Sequence, residues 1–444
     1  MRQAKYIVAA ILFGAFLFFG CSKRKNPTDP GAPPAGLVVS NTPLFENTLD
    51  AANNALILNN LRPEPEVRRV RVYLPPGYQP RGSGRPFPTL YLLHDYGIYP
   101  DNLGNPAAND AYFGFYGLAH VMDRLIADSQ IQPMIVVQAD LPSYFYGGSF
   151  YTNSTSTARF FTVVDSFLVN FIDQTYNTVF GRRSRAIAGH GMGGYGALKM
   201  VLTGTDTSFG SVSALSAPLS LADTVIGCLS PVYRNALFTE NGIALGDSAR
   251  FRRDTVLFPD PRLTQKIRTN ILFALGAAFS PVTDTALFKQ QLALGKREDL
   301  LDTLPNYFQF SKSPKDPGFI FPIDWNRRII DSVRLRWLVH DVNAMLSNPT
   351  QAARLDSTPL FFSCGLQDEL GMLEQNRDFL SRLVAVRGAS KRATNFLAMD
   401  SSQFYYEEYS GYPGRPADHT TFISDQLVKV LKFHSQFLDT AAAP

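Results

Sequence analysis

The residues with the clearest chemical signature lie in the string RAIAGHGMGGYGALKM, residues 185–200. A short apolar run enters a glycine-rich turn, Gly189-His190-Gly191-Met192-Gly193-Gly194, and leaves it as a helical pattern. Strand, tight turn and helix in that order are the setting of a nucleophile elbow, G-x-S-x-G, whose strained turn lifts a serine hydroxyl above a sheet. Here the serine position holds Gly191. Glycine carries no hydroxyl, so no base can activate it and no acyl group can be transferred to it. The elbow residue adopts a backbone region that costs a side-chain-bearing residue about 1–3 kcal/mol, and glycine relieves that strain. Gly189 lets the strand approach closely, and Gly193 and Gly194 let the helix pack against it.

The remaining reactive side chains are scattered. Six histidines show no H-x-H or H-E-x-x-H spacing, so the sequence carries no metal signature, and neither a metal nor another cofactor is expected. His190 reads as a packed or substrate-lining side chain, His94 as a structural hydrogen-bonding one, and His120 and His434 as scaffold on helices. His340, in RWLVHDVNAML, reads equally as packing or as a residue near the site. Three cysteines cannot make a disulfide framework or a four-cysteine zinc site. Cys364 falls on an apolar run and reads as a buried thiol, and spacing does not argue for pairing it with Cys228. Aromatic residues crowd the loops after the early strands: Tyr96, Tyr99, Tyr112, Phe113, Phe115, Tyr116, Tyr144, Phe145, Tyr146, Phe150 and Tyr151. They are suited to stacking on a sugar or phenolic ring, or to packing long loops together.

The elements that must hold these residues alternate between strand and helix. VRRVRVYL has period-2 alternation, with Val70, Val72 and Leu74 on one face. TLYLLH (89–94), PMIVVQA (133–139), SRAIAG (184–189), SVSAL (211–215) and PLFFSC (359–364) are short apolar runs of the kind buried on both faces of a parallel sheet. Between them, Leu118, Val121, Met122, Leu125 and Ile126 have helical spacing, as do Phe160, Val163, Val164, Phe167, Leu168, Phe171 and Ile172. MLEQNRDFLSRLVAV (372–386) and FISDQLVKVLKFHSQFL (422–438) are amphipathic helices. The pattern predicts an α/β fold with a mostly parallel, doubly wound sheet, carried by residues 37–218 and 336–440. Residues 219–335 break the rhythm with helical pieces and proline-rich joints. They leave the sheet between two core strands and return, as a helical cap over the strand ends or as a plain surface insertion.

The chain of 444 residues is 45% apolar and only 18% charged, enough for a large core and against disorder. A formal net charge of +4 without basic blocks beyond the first 25 residues excludes a nucleic-acid binder. The N-terminus reads as a targeting segment. Arg2 and Lys5 precede an apolar run from Tyr6 to Gly20, too short for a comfortable membrane span. Cys21 follows directly, as in a lipoprotein-type signal peptide over residues 1–21, with Cys21 lipidated and the mature protein exported and membrane-anchored in a bacterium. Residues 22–36 form a Pro/Gly-rich tether. Loss of residues 1–20 removes Arg2 and Lys5 and lowers the charge from +4 to +2.

Several motifs in order resemble the esterase D-like family of α/β-hydrolases: RRVRVYLPPGY, PTLYLLHDYG, PMIVVQAD, SFYTNS, FIDQTY, the elbow, FGSVSALSAPL, FFSCGLQDEL and DHTTF. The resemblance covers about residues 66–220 and 335–438. It implies an α/β-hydrolase fold, a small-molecule or carbohydrate ester ligand, and a triad in the chain order elbow, acid, base. By that resemblance Asp368, in FFSCGLQDEL, is the acid and His419, in PADHTTF, the base. The backbone N–H groups of Met192 and Tyr96 form the oxyanion hole. His190, Asp95 and Tyr146 line the substrate. The family often has glycine where Asp95 stands, and a carboxylate there would repel a developing oxyanion. Two readings follow. One is a homologue that has lost its nucleophile at Gly191, is non-catalytic or impaired, and retains ligand binding. The other is a carboxylic-ester hydrolase in which water, seated in the space beside His419, is activated by His419 and Asp368.

Overall fold

The structure is a computed structural model, which describes residues 36–43, 69–96, 112–113, 116–141, 147–204, 208–251, 264–281, 307–308 and 319–440. The signal segment with Cys21, the tether up to residue 35 and Tyr146 lie outside the described residues. Among the described residues no helix is long and apolar enough to cross a membrane.

Eight strands form one sheet: β1 (Leu37–Pro43), β2 (Arg69–Leu74), β3 (Thr89–Leu93), β4 (Ile135–Ala139), β5 (Arg185–His190), β6 (Ser211–Leu215), β7 (Leu360–Gly365) and β8 (Phe404–Tyr409). Their spatial order is β1-β2-β4-β3-β5-β6-β7-β8. β1 pairs with β2, and β2 with β4, antiparallel; every other pair is parallel. Every residue of β3, β4, β6 and β7 is buried. That explains their mainly apolar make-up: helices cover both faces, so no face needs solvent-facing polar side chains, and the few polar residues, such as Gln138, Ser211, Ser213 and Ser363, are buried. β8, FYYEEY, is a strand that the apolar-run pattern does not pick out. It lies at the sheet edge, where Phe404 and Tyr406 are buried while Glu407 and Glu408 are not.

The side-chain alternation sorts the core into two layers. Tyr91, Leu93, Val137, Ile187 and Phe362 face one side; Leu90, Leu92, Val136, Ala188 and Phe361 face the other. The second layer is covered by α1 (Leu118–Ala127) and α8 (Ile423–Phe437). The first is covered by α2, helical over residues 160–175, by α3 (Met192–Thr203) and by α7 (Met372–Arg387). The apolar spacing of α2 suggests a uniform α-helix, but Val163–Leu168 is a π-wound turn, which keeps Val163, Val164 and Leu168 buried.

Between β6 and β7 the chain makes its excursion. It contains α4 (Pro231–Thr239) and α5 (Ile267–Phe279), then returns through α6 (Asp331–Leu338). Its two stems meet. The Asn343 N–H donates to the Leu219 carbonyl at 3.0 Å, and the Ala222 N–H to Asp341 Oδ2 at 2.9 Å. α5 is buried from Thr269 to Phe279 and packs Phe273 against Phe319 and Phe321. It is therefore continuous with the first core layer, not a loosely attached lobe.

Candidate active site

The turn between β5 and α3 has the elbow conformation: Gly191 sits at φ 52°, ψ −119°. The close packing around it is backbone on backbone. A Cβ on Gly189 would lie 2.3 Å from the Gly193 carbonyl carbon, and one on Gly193 would lie 2.0 Å from the Leu93 oxygen. At Gly191 the obstacle is a side chain. A Cβ there would lie 1.9 Å from Asp95 Oδ1. Asp95 thus occupies the place that a residue-191 side chain would need.

Asp95 enters from the loop after β3. Its Oδ1 accepts hydrogen bonds from the N–H groups of Tyr96 at 2.6 Å and Met192 at 2.7 Å. These are the two donors assigned to the oxyanion hole, so the hole is filled by the chain's own carboxylate. Oδ2 meets His419 Nε2 at 3.0 Å. The space expected beside His419 for a water is the space this carboxylate takes, because glycine at 191 leaves it clear.

His419, in the loop before α8, bonds through Nδ1 to Asp368 Oδ2 at 2.8 Å. Asp368 is itself fixed: Oδ1 accepts from the N–H groups of Leu370 at 3.0 Å and Met372 at 3.2 Å, at the start of α7. The acid and base drawn from the resemblance are therefore brought together in triad geometry. The resulting order is Asp368–His419–Asp95, with a carboxylate where an attacking hydroxyl would stand.

The electrostatics match an ion pair. Burial by itself would raise the Asp95 pKa, but the charges of His190 and His419, with the hydrogen bonds from His419 and Met192, hold it down at about 2. Burial pushes His419 the other way, and the Asp368 and Asp95 carboxylates outweigh it, so His419 titrates well above its ordinary value. The base is held protonated between two carboxylates and is not poised to take a proton at neutral pH.

His190 departs from its expected place on the substrate wall. It is 2% exposed and lies behind His419, because its Nε2–H donates to the His419 carbonyl at 2.7 Å. Its Nδ1 faces Asp95 Oδ2 at 3.5 Å. Burial lowers its pKa in spite of Asp95. His94 is structural, as expected: Nδ1 bonds the Asp95 carbonyl at 2.8 Å and Nε2 accepts from the Leu141 N–H at 3.0 Å. These bonds set the backbone of the Asp95 loop. His340 stacks on Phe279 and bonds the Lys199 ammonium, away from the triad. His120 is exposed on α1, while His434 is buried between Ser211 and Ser213. Cys228 and Cys364 are buried free thiols.

A cavity of about 260 Å³ opens onto the site. Asp95, Gly191 and His419 form its polar end with Glu369 and Thr420; Phe150, Met192, Cys228, Leu370 and Met372 form apolar walls. Tyr233, Ile267 and Ile271 come from the excursion between β6 and β7. Tyr99, Phe115, Tyr144 and Phe145 lie outside the described residues; of the described loop aromatics, Tyr96 and Phe150 line the cavity. Tyr112 and Tyr151 instead donate their hydroxyls to the Leu93 and His94 carbonyls, at 2.8 and 2.9 Å, and stiffen the turn. Tyr112 also accepts from the His190 N–H at 3.1 Å.

One grouping has no counterpart in the sequence spacing. Asp95, His190 and His419 each offer a donor atom, and these atoms all lie within 4.8 Å of one another. They come from the ends of three elements, so no short motif announces them.

Several known proteins are similar to this chain. The chain is 34% identical over 133 residues to an endo-1,4-beta-xylanase/feruloyl esterase of Xylanibacter ruminicola, covering 29% of this chain and 17% of that protein. It is 27% identical over 280 residues to an esterase of Mycobacterium tuberculosis, covering 60% of this chain and 56% of that protein. The chain thus spans less than two thirds of the length of these curated relatives. Similar solved structures include a ferulic acid esterase (TM-score 0.48, 17% identity, covering 91% of this chain and 99% of that one). Another is an S-formylglutathione hydrolase from Agrobacterium tumefaciens (TM-score 0.46, 14% identity, covering 91% and 96%). The family model described as "Putative esterase" matches residues 65–426, most of the chain, and with the parallel sheet, elbow and Asp–His pair in place, the protein belongs to this esterase family of α/β-hydrolase fold.

Proposed function

We propose that this protein is an exported, lipid-anchored esterase-family member whose nucleophile serine has been replaced by Gly191. In this reading it binds a small-molecule or carbohydrate ester without serine-catalysed hydrolysis. The observation that carries it is the Asp95 carboxylate, which takes both hole N–H groups and the base together. Catalysis of acyl transfer requires those donors to be free for a developing oxyanion. Here they neutralise a charge already present, so a tetrahedral intermediate would have to displace a stable ion pair.

The cavity supports binding. Its walls are largely apolar, and the excursion supplies part of them, as a cap would. At its polar end Asp95 is paired with His419 and Glu369 adds a further carboxyl group, so among the described residues no free cation is offered to a carboxylate ligand and a neutral ester or a sugar hydroxyl cluster is favoured. The N-terminal Tyr6–Gly20 run followed by Cys21 supports export and anchoring. The feruloyl and ferulic acid esterases among the similar proteins make aryl esters of carbohydrates the first ligands to try.

The test is a panel of aryl and acetyl esters, including methyl ferulate and p-nitrophenyl acetate. Thermal stabilisation of the full chain by one of them, with turnover at the no-enzyme background, is the expected result. Turnover by the native protein that His419→Ala abolishes would sink the non-catalytic reading and favour a water-based mechanism.

A further inference from the structure

We propose that Asp95, His190 and His419 form a binding site for one divalent transition-metal ion of the Zn²⁺ class. The ligand atoms are Asp95 Oδ2, His190 Nδ1 and His419 Nε2. The inference goes beyond the ligand-binding reading and does not rest on it.

The first argument is spacing. Zn–N and Zn–O bonds of about 2.0–2.2 Å in a tetrahedral site put neighbouring ligand atoms about 3.3–3.6 Å apart. Asp95 Oδ2 lies 3.0 Å from His419 Nε2 and 3.5 Å from His190 Nδ1, and all three atoms fall within 4.8 Å. The 3.5 Å edge already fits, the 3.0 Å edge must open by a few tenths of an ångström, and the third, no more than 4.8 Å, must close by up to about 1.5 Å.

The second argument is that each ligand is already held by its other polar atom. His419 Nδ1 is tied to Asp368. His190 Nε2–H donates to the His419 carbonyl, which fixes the ring so that Nδ1 faces inward. Asp95 Oδ1 takes the Tyr96 and Met192 N–H groups, leaving Oδ2 toward the histidines. A carboxylate or carbonyl behind each imidazole, and hydrogen bonds behind the carboxylate, are the supports that orient metal ligands. Two histidines and one carboxylate are a donor set used by zinc and by other first-row metals.

The third argument is access. Asp95 and His419 line the cavity, together with the bare Gly191 backbone. A fourth ligand, water or a substrate oxygen, would approach from that side. A side chain at 191 would collide with Asp95, so glycine here is a condition for the set to assemble. On binding, the metal takes the place of the His419 Nε2 proton, which passes to solvent.

The test uses the full chain in mild detergent, stripped with EDTA and then titrated with Zn²⁺ and with Co²⁺, without any ester present. The expected result is one ion per chain, with Co²⁺ giving the visible absorption of a low-coordinate N/O site. Asp95→Asn, His190→Gln and His419→Ala should each weaken binding at least tenfold. Asp368→Asn, which alters only a support, should weaken it about 10–100-fold. Circular dichroism checks that each variant folds, and the wild-type Co²⁺ spectrum decides the matter if one does not. Absence of stoichiometric uptake overturns the site and leaves Asp95–His419 as a plain ion pair. Uptake unchanged in all folded variants overturns it too, by placing the ion elsewhere. Neither result bears on ester binding, which is measured separately.

Discussion

Gly191 and Asp95 should behave as a coupled pair, and introducing a serine alone should not give an active enzyme. A Cβ at 191 would lie 1.9 Å from Asp95 Oδ1 and 2.3 Å from its Cγ, so Gly191→Ser must expel the carboxylate. Expulsion forfeits two charge-assisted bonds to Tyr96 and Met192, worth about 1.5–3 kcal/mol each. The positive φ adds about 1–3 kcal/mol for a residue with a side chain. Part of this is recovered as the carboxylate finds water in the cavity, so we expect Gly191→Ser to lose about 3–5 kcal/mol. Asp95→Gly alone leaves His419 and two N–H groups without their buried partner, a loss of about 3–5 kcal/mol. In the double variant the clash is gone and Ser Oγ can sit beside His419. Its cost should fall below the sum of the singles by about 0.5–3 kcal/mol. Removing one hole donor typically costs about 10²–10³ in rate, so freeing a blocked hole while supplying the nucleophile should raise turnover at least 10²-fold above either single. The assay is p-nitrophenyl acetate hydrolysis with His419→Ala controls, beside urea unfolding of all four proteins. A Gly191→Ser protein as stable as wild type and fully active would refute the claim that Asp95 fills the hole.

Two further outcomes follow from buried charges. Lys199 on α3 is buried with only Thr152 Oγ1 and His340 Nδ1 as hydrogen-bond partners, and burial lowers its pKa to about 7. Its unfolded value is higher, so its protonation opposes folding below about pH 7, and the penalty fades as pH rises toward 10.5. The full penalty, about 5 kcal/mol at most, exceeds the roughly 1–3 kcal/mol lost by orphaning its partners. Lys199→Met should therefore stabilise the fold by about 2 kcal/mol at pH 6, with the gain shrinking by pH 9 in urea titrations; a destabilised variant at pH 6 would contradict this. His434 is enclosed between the Ser211 and Ser213 hydroxyls, and burial pushes its pKa down to about 3. Stability from its neutral form is present above the unfolded value of about 6.5 and is lost as pH falls from there toward 3. His434→Gln should flatten the stability profile over that window, and an unchanged acid limb would argue against the assignment.

Much of the frame is legible in the sequence because its signals are local. Mainly apolar runs of five or six residues mark β3, β4, β5, β6 and β7, since strands covered on both faces need no solvent-facing polar side. β8 escapes that signal because it is an edge strand with Glu407 and Glu408 partly exposed. Motif resemblance pairs Asp368 with His419, and the structure sets His419 Nδ1 2.8 Å from Asp368 Oδ2. The expected water beside His419 did not survive, and His190 moved from cavity wall to support, because both depended on where one side chain turns.

By itself the sequence determined that residue 191 lacks a reactive atom. It also determined that a strand–turn–helix segment presents that residue, and that Asp95 immediately precedes Tyr96, whose N–H the family resemblance implies as a hole donor. Only the tertiary structure decided that the Asp95 carboxylate takes the Tyr96 and Met192 N–H groups and closes on His419. The tertiary structure alone also brought His190 to the same carboxylate. Residues 95, 190 and 419 follow or end β3, follow or end β5, and precede α8. Their distances are set by sheet order and by packing across it, which no local period or spacing encodes.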